Sequence, residues 1–280
     1  EIVTGLVGSE MCIRDRSALR LNDYKSWILP AKKWLVLSII VLGVGIMMGA
    51  YWAYETLNFG GYWNWDPVEN AVYVPWLFLV ASLHSVILTQ KNKQYYKMSL
   101  ILSIVSFILI LYSTFLTRSG ILGDSSVHSF TDLGLSGQLL IYLFTFILIS
   151  LYLFIYRWNN IPYSDKEAKI YNADFWLYIG VFTLILMSFQ VIFPTSIPVY
   201  NAIVEFFGGF SNLAPPIEKE IFYSNAQIWF ASSLAVLSSI AQVLWWRGKG
   251  TSEKFSLFSR SLIFTMVISG TIILLYPINK

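Results

Sequence analysis

The chain has 280 residues, 56% of them hydrophobic and 12% charged, with a mean hydropathy of +0.61. That balance excludes a soluble globular domain and points to an all-α fold, a polytopic transmembrane helical bundle. The net charge is only +3, and the cations fall between apolar runs, so they call for no nucleic-acid partner.

In chain order, residues 1–16, "EIVTGLVGSEMCIRDR", carry the only cysteine, Cys12, and read as neither a signal peptide nor a span. They resemble translated sequencing-adapter read-through and are expected to be a non-native leader, leaving 17–280 as one transmembrane domain without thiol chemistry. A spanning helix requires about 20 mostly apolar residues. Runs at 33–54, 72–90, 98–116, 137–156, 175–194, 225–246 and 260–278 predict about seven spanning helices. The last run stops at the chain's end, which suggests a piece of a longer protein.

Cations alternate along the chain. Lys25, Lys32 and Lys33, then Lys91, Lys93 and Lys97, then Arg157, Lys166 and Lys169, then Arg247, Lys249, Lys254 and Arg260 flank one set of connections. Only Arg118 and Lys219 lie in the opposite set, so residues 55–71, 117–136 and 195–224 are expected to face outward. Within the third of these loops, "VYNAIVEFF" can lie as a short interfacial helix. The spans hold few polar groups: His84 is the ionisable side chain well inside one, and Gln190 and Gln242 lie toward the ends. A transporter's broken helices and a pump's carboxylate relay are both missing from this pattern.

The densest chemistry is in "NFGGYWNWDPVENAVYVPW", residues 58–76. Its acids fit a helix start, with Asp66 as N-cap, Pro67 at the first helical position and Glu69 completing a capping box. The role does not exclude a second, functional one. Trp52, Tyr54, Phe59, Tyr62, Trp63, Trp65, Tyr73 and Trp76 surround Gly60-Gly61, more rings than an interfacial belt needs. Adjacent glycines allow close backbone approach, and a shelf of indole faces suits a large planar ligand such as heme.

Heme iron takes imidazole ligands, and the chain has two histidines. His128, in the outward loop "TRSGILGDSSVHSFTD", is either an ordinary loop histidine or a ligand to heme on the Trp shelf. Arg118 either pairs with a heme propionate or snorkels from its helix end. His84 lies 11 residues after Tyr73, about 17 Å deeper along a helix. It is either hydrogen-bonded between helices or an axial ligand of a second, membrane-buried heme.

"GGYWNWDPVENAVYVPW", "LHSVILTQ" and "FLTRSGILGDSSVHSF", in this order and spacing, resemble the CcmF family of cytochrome c-type biogenesis proteins, with its tryptophan-rich WWD segment. The likeness runs from about Lys32 to Val243, with Phe59 and Tyr62 standing where Trp is usual. It implies that Gly60, Gly61, Tyr62, Trp63, Trp65, Asp66 and Glu69 belong to the heme-binding face, that His128 ligates the substrate heme iron, and that His84 ligates a b-type heme. Members carry a further histidine before the WWD segment and another downstream, neither of which occurs here.

The resemblance further implies a heme lyase subunit, rather than a self-sufficient enzyme, in the bacterial inner membrane with the WWD segment facing the periplasm. Its partners would be apocytochrome c, a heme chaperone, other cytochrome c maturation subunits and the lipid bilayer. The reaction would join heme vinyl groups to the thiols of an apocytochrome CxxCH motif. Two other readings stay open at this point: a CcsA-type system II protein, and a non-heme membrane scaffold or transporter.

Overall fold

A computed structural model describes residues 24–57, 60–123, 125–126, 134–164, 172–245, 256, 259–268 and 271. The described residues form helices α1 (Tyr24–Thr56), α2 (Pro67–Thr89), α3 (Tyr96–Arg118), α4 (Ser136–Arg157), α5 (Ala173–Thr195), α6 (Ile197–Phe206) and α7 (Lys219–Trp245). A 3-10 turn, Lys93–Tyr95, joins α2 to α3, and a short apolar helix covers Ser259–Ile268.

Among the described residues, all the helices but the short α6 and Ser259–Ile268 are long and apolar enough to cross a bilayer, which makes six candidate spans. The predicted seventh, 260–278, coincides with Ser259–Ile268 and otherwise lies outside the described residues. The first helix begins about two and a half turns before the apolar run, because Tyr24 and Trp27 are buried in one cluster with Tyr96 and Ile161 and extend the helix beyond the hydrocarbon stretch.

α2 is the hub. In its apolar window 61% of residues are buried, against 11% in α4 and in α7, so α1, α3 and α5 lean on it while α4 and α7 lie at the periphery. It packs against α1, α3 and α5, and α7 completes the bundle against α5. The α2–α3 seam is built from hydroxyls. Ser82 bonds Ser103 at 2.7 Å, Ser85 bonds Ser99 at 2.7 Å, and Thr89 bonds Ser99 at 2.5 Å, all five side chains buried. Small residues let the backbones approach, and each hydroxyl satisfies another where no water can.

α1 meets α2 through a different device. Trp76 Nε1 donates to the Ile39 carbonyl at 3.1 Å, and a Cβ on Gly43 would come within 3.0 Å of that indole nitrogen. Glycine at 43 therefore makes room for the tryptophan.

The ends of the bundle are distinct. Lys91 Nζ meets Asp174 Oδ1 at 2.7 Å, which ties the α2–α3 turn to the start of α5, and Lys97 lies 3.8 Å over the Trp158 ring. At the other end Lys219 Nζ donates to the Ser125 carbonyl at 2.9 Å, joining the loop after α3 to the start of α7. The connections grouped by sequence as cation-rich and cation-poor thus gather at opposite ends.

Ser99→Ala is expected to lower bundle stability by about 0.5–1.7 kcal/mol, since it removes the partner of the Ser85 hydroxyl and leaves Thr89 only its bond to the Ser85 carbonyl. Reversible unfolding in a detergent titration measures this, and an unchanged midpoint would show that the seam is held by packing alone.

Candidate functional site

The capping box at the start of α2 forms as the spacing predicts. Asp66 Oδ2 accepts from the Val68 amide at 3.1 Å, and Glu69 Oε2 accepts from the amides of Asp66 at 3.1 Å and Asn64 at 3.0 Å. Asp66 also accepts from the Ser126 hydroxyl, which fastens the loop after α3 onto the same cap. Both acids are buried. They hold backbone donors at the positive end of the α2 dipole.

Trp65, immediately before the cap, has φ 52° and is the one described non-glycine residue in the left-handed region. A bulky side chain there costs about 1–3 kcal/mol, so its surroundings must impose the bend. Asn70, 1% exposed, donates its side-chain amide to the Trp65 carbonyl and to Thr195 Oγ1, each at 3.2 Å. The Trp65 ring stacks on Tyr223 at 5.3 Å, and its Nε1 donates to Ser224 Oγ at 2.9 Å. The bend therefore joins the starts of α2 and α7 to the last residue of α5.

The segment is divided by burial. Trp65, Asp66, Glu69 and Asn70 face inward, whereas Gly60 and Tyr62 are exposed and Gly61, Trp63 and Asn64 are half-buried. Trp63 meets Trp65 edge-on at 5.7 Å and Tyr73 at 5.6 Å, and Tyr73 stacks on Trp76 at 6.3 Å. Tyr62 stacks on Tyr54 of α1 at 4.5 Å. Among the described residues these rings form two groups, Trp63, Trp65, Tyr73 and Trp76 in one and Tyr54 with Tyr62 in the other, with Tyr62 exposed and Trp63 half-buried. Trp65 is a buried strut within the first group, not an open ring face.

The glycine pair stands apart from that network. A Cβ on Gly60 would meet no described atom within 4 Å, and one on Gly61 would meet only the Trp63 carbonyl at 4.0 Å. Neither has positive φ. Among the described residues, nothing in the chain's own packing or backbone requires glycine at either position.

His128 and Phe59 lie outside the described residues. Arg118 is the last residue of α3, where a cation complements the negative end of the helix dipole.

His84 sits near the opposite end of α2, 17 residues after Pro67 and so roughly 25 Å away along the helix. It lines a cavity of about 640 Å³ enclosed by α2, α5 and α7, together with Val80, Trp176, Gly180, Leu184, Leu234, Ser238 and Gln242. Its Nδ1 lies 2.7 Å from the Val80 carbonyl. A carbonyl only accepts, so Nδ1 carries the proton and Nε2 of the neutral ring keeps a lone pair. That is the arrangement by which proteins fix an imidazole for metal ligation. It is a contact within α2, not the interhelical hydrogen bond that the sequence left open.

Several contributors carry no sequence mark. Trp176 and Gly180 fall in an unbroken apolar run. Gln227, 5% exposed, bonds Gln190 Oε1 at 2.6 Å and the Met187 carbonyl at 3.1 Å, crossing from α7 to α5. Only Asn70 had a signal, an amide one turn inside a capped apolar helix.

Comparison with known proteins gives a consistent picture. The family described as Cytochrome C assembly protein matches residues 14–122. The cytochrome c-type biogenesis protein CcmF of Haemophilus influenzae is 31% identical over 249 residues, covering 88% of this chain and 36% of that protein. CcmF of Escherichia coli is 29% identical over 240 residues, covering 85% and 35%. CycK of Bradyrhizobium diazoefficiens is 41% identical over 146 residues, covering 52% and 22%. A solved structure, cytochrome c heme lyase CcmF, shares the fold with a TM-score of 0.69 at 23% identity, over 99% of this chain and 40% of that one. The chain spans a little over a third of the length of the CcmF relatives that it matches along most of its length.

Asn70→Ala is expected to cost about 1–3 kcal/mol and to release the Trp65 bend. Near-UV circular dichroism of the folded variant should change in the indole region. An unchanged spectrum with unchanged stability would mean that the bend is held by the ring contacts alone.

Proposed function

This chain belongs to the CcmF family of cytochrome c-type biogenesis proteins, and we propose that it forms the heme-handling part of a heme lyase that attaches heme to apocytochrome c. The observation that carries this reading is the glycine pair 60–61 in open space beside Tyr62 and Trp63. Residues kept small without an internal reason leave room for something outside the chain, and the neighbouring rings offer a flat apolar face.

In this reading the porphyrin rests against Gly60, Gly61, Tyr62 and Trp63. Trp65, Asp66 and Glu69 hold that surface in place from behind, and His128, on the loop tied to the cap through Ser126, ligates the substrate iron. Arg118, the cation nearest His128 in sequence, would pair with a propionate. Each apocytochrome thiol adds across a heme vinyl group, sulfur to one carbon and hydrogen to the other, with no leaving group. The chain's contribution is orientation and proximity. Apocytochrome c, a heme chaperone and further maturation subunits are the partners this reaction needs, and the segment faces the periplasm.

The cavity beside His84 fits a resident b-type heme on one side: an imidazole whose Nδ1 faces the Val80 carbonyl, apolar walls and Gly180. Such a heme would supply electrons to keep the substrate iron ferrous. His84 would bind the iron through Nε2, and Val80 would hold the ring's orientation through its carbonyl.

A second reading has its own support. Trp65, Asp66, Glu69 and Asn70 are bonded internally, so the same segment also serves as an architectural knot, as a non-heme scaffold would use it.

The two readings separate in one pair of variants of the full-length protein. Gly61→Val is expected to leave membrane insertion and thermal stability unchanged while lowering heme uptake at least tenfold in a Soret titration. Full uptake in a folded Gly61→Val protein would leave only the architectural role. His84→Ala is expected to remove the absorption of bound b-type heme and leave insertion intact, and an unchanged heme spectrum would overturn its assignment as ligand.

A further inference from the structure

At the end of the bundle that carries the Trp65 knot, α6 and the turn after it expose an apolar surface unlike the rest of the connections. Phe206 is 84% exposed, Phe207 81% and Phe210 83%. At 100° per residue Tyr200, Ile203, Phe206 and Phe207 share an arc of about 120°, and Glu205 lies about 160° from its centre. Asn201 and Val204, away from the arc, are half-buried, and Val199 packs on the buried cluster of Ala71, Leu116 and Leu122. The apolar face is thus half-buried at the start of the helix, at Val199, and exposed from Tyr200 onward.

The exposure is built in. Gly208 adopts φ 76°, and the amides of Gly208 and Gly209 return to the carbonyls of Glu205 and Val204, each at 2.9 Å, closing the helix. A Cβ on Gly209 would meet Val204 Cγ1 at 2.8 Å, so glycine is required there for the chain to fold back. Ser211 then donates to Asn201 Oδ1 at 2.6 Å and Asn201 donates to the Leu213 carbonyl at 2.9 Å. Phe210 is held out on this clamped hook.

We propose that α6 and the Phe210 hook form a monotopic anchor seated in the outer lipid leaflet. The surface is continuous with a lipid-facing column on α5, where Phe182, Phe189 and Phe193 are 52%, 41% and 68% exposed and α6 starts two residues after the span ends. Phe has no polar handle, unlike the Trp and Tyr of an interfacial belt, so three such rings gain by entering hydrocarbon. The arc carries no cation, and Glu205 points away from it, so the attraction rests on apolar burial and needs no anionic headgroup. With Tyr112 donating to Ser196 at 2.8 Å and Val199 in the buried cluster, the anchor sets the height of the α2 cap relative to the headgroups.

The test uses the whole chain with Cys12→Ser, reconstituted in phosphatidylcholine vesicles, with one new cysteine at a time carrying a nitroxide. At Phe206→Cys and Phe210→Cys, collisions with oxygen should exceed those with a water-soluble nickel complex. At Glu205→Cys the order should reverse. Ile203→Cys, on the same arc, serves if the phenylalanine variants do not fold. Greater access to the nickel complex at the Phe positions would overturn the anchor, as would low access to both quenchers, which would indicate a protein partner over the patch.

Discussion

Asn70 donates one side-chain amide to two acceptors, the Trp65 carbonyl and Thr195 Oγ1, and three parts of the bundle depend on that bridge. It holds Trp65 in a left-handed bend that a bulky residue does not adopt unaided. The bend turns the Trp65 ring back onto Tyr223 and Ser224 at the start of α7. It also sends the preceding residues, Gly60 to Trp63, outward. Exposure of one half of the segment and burial of the other follow from a single strained residue and the amide that restrains it.

The same two helices, α5 and α7, receive that knot at one end and wall the His84 cavity at the other. Gln227 and Gln190 cross-link them between the two. α2 connects the sites as a third wall, running from the Asp66 cap to His84. If the proposed surface and membrane hemes are both bound, α2, α5 and α7 would carry both sites. The division of labour is chemical. The surface side presents two glycines with open space over them among the described residues, beside the Tyr62 and Trp63 rings, whereas the His84 side presents a single imidazole whose Nδ1 is held by its own helix.

Much of the fold was legible because lipid leaves few options: long apolar runs must be helices, and cation placement orders their ends. The cap at Asp66 was legible too, since Asp-Pro-x-Glu encodes its own hydrogen bonds locally. What could not be read were contacts between residues far apart in sequence. The serine seam of Ser82, Ser85, Ser99 and Ser103 looks in sequence like scattered small residues, and only the α2–α3 register pairs them. Trp65 gave no hint of being a buried strut, because a tryptophan beside other tryptophans reads as a surface ring until Tyr223, 158 positions later, covers it. The clustering of rings pointed to the right place, but which rings face out was set by a backbone bend that no local pattern specifies.

The proposed function depends on a flat macrocycle lying on the Gly60–Trp63 surface while Trp65 stays locked beneath it. An electron cryo-microscopy map of the full-length protein with heme added would test this. Porphyrin density is expected against Gly60, Gly61 and Trp63, with Trp65 still stacked on Tyr223 and the His128 imidazole at the iron. Heme density remote from those residues, or a map in which protein fills the space over Gly60 and Gly61, would contradict it.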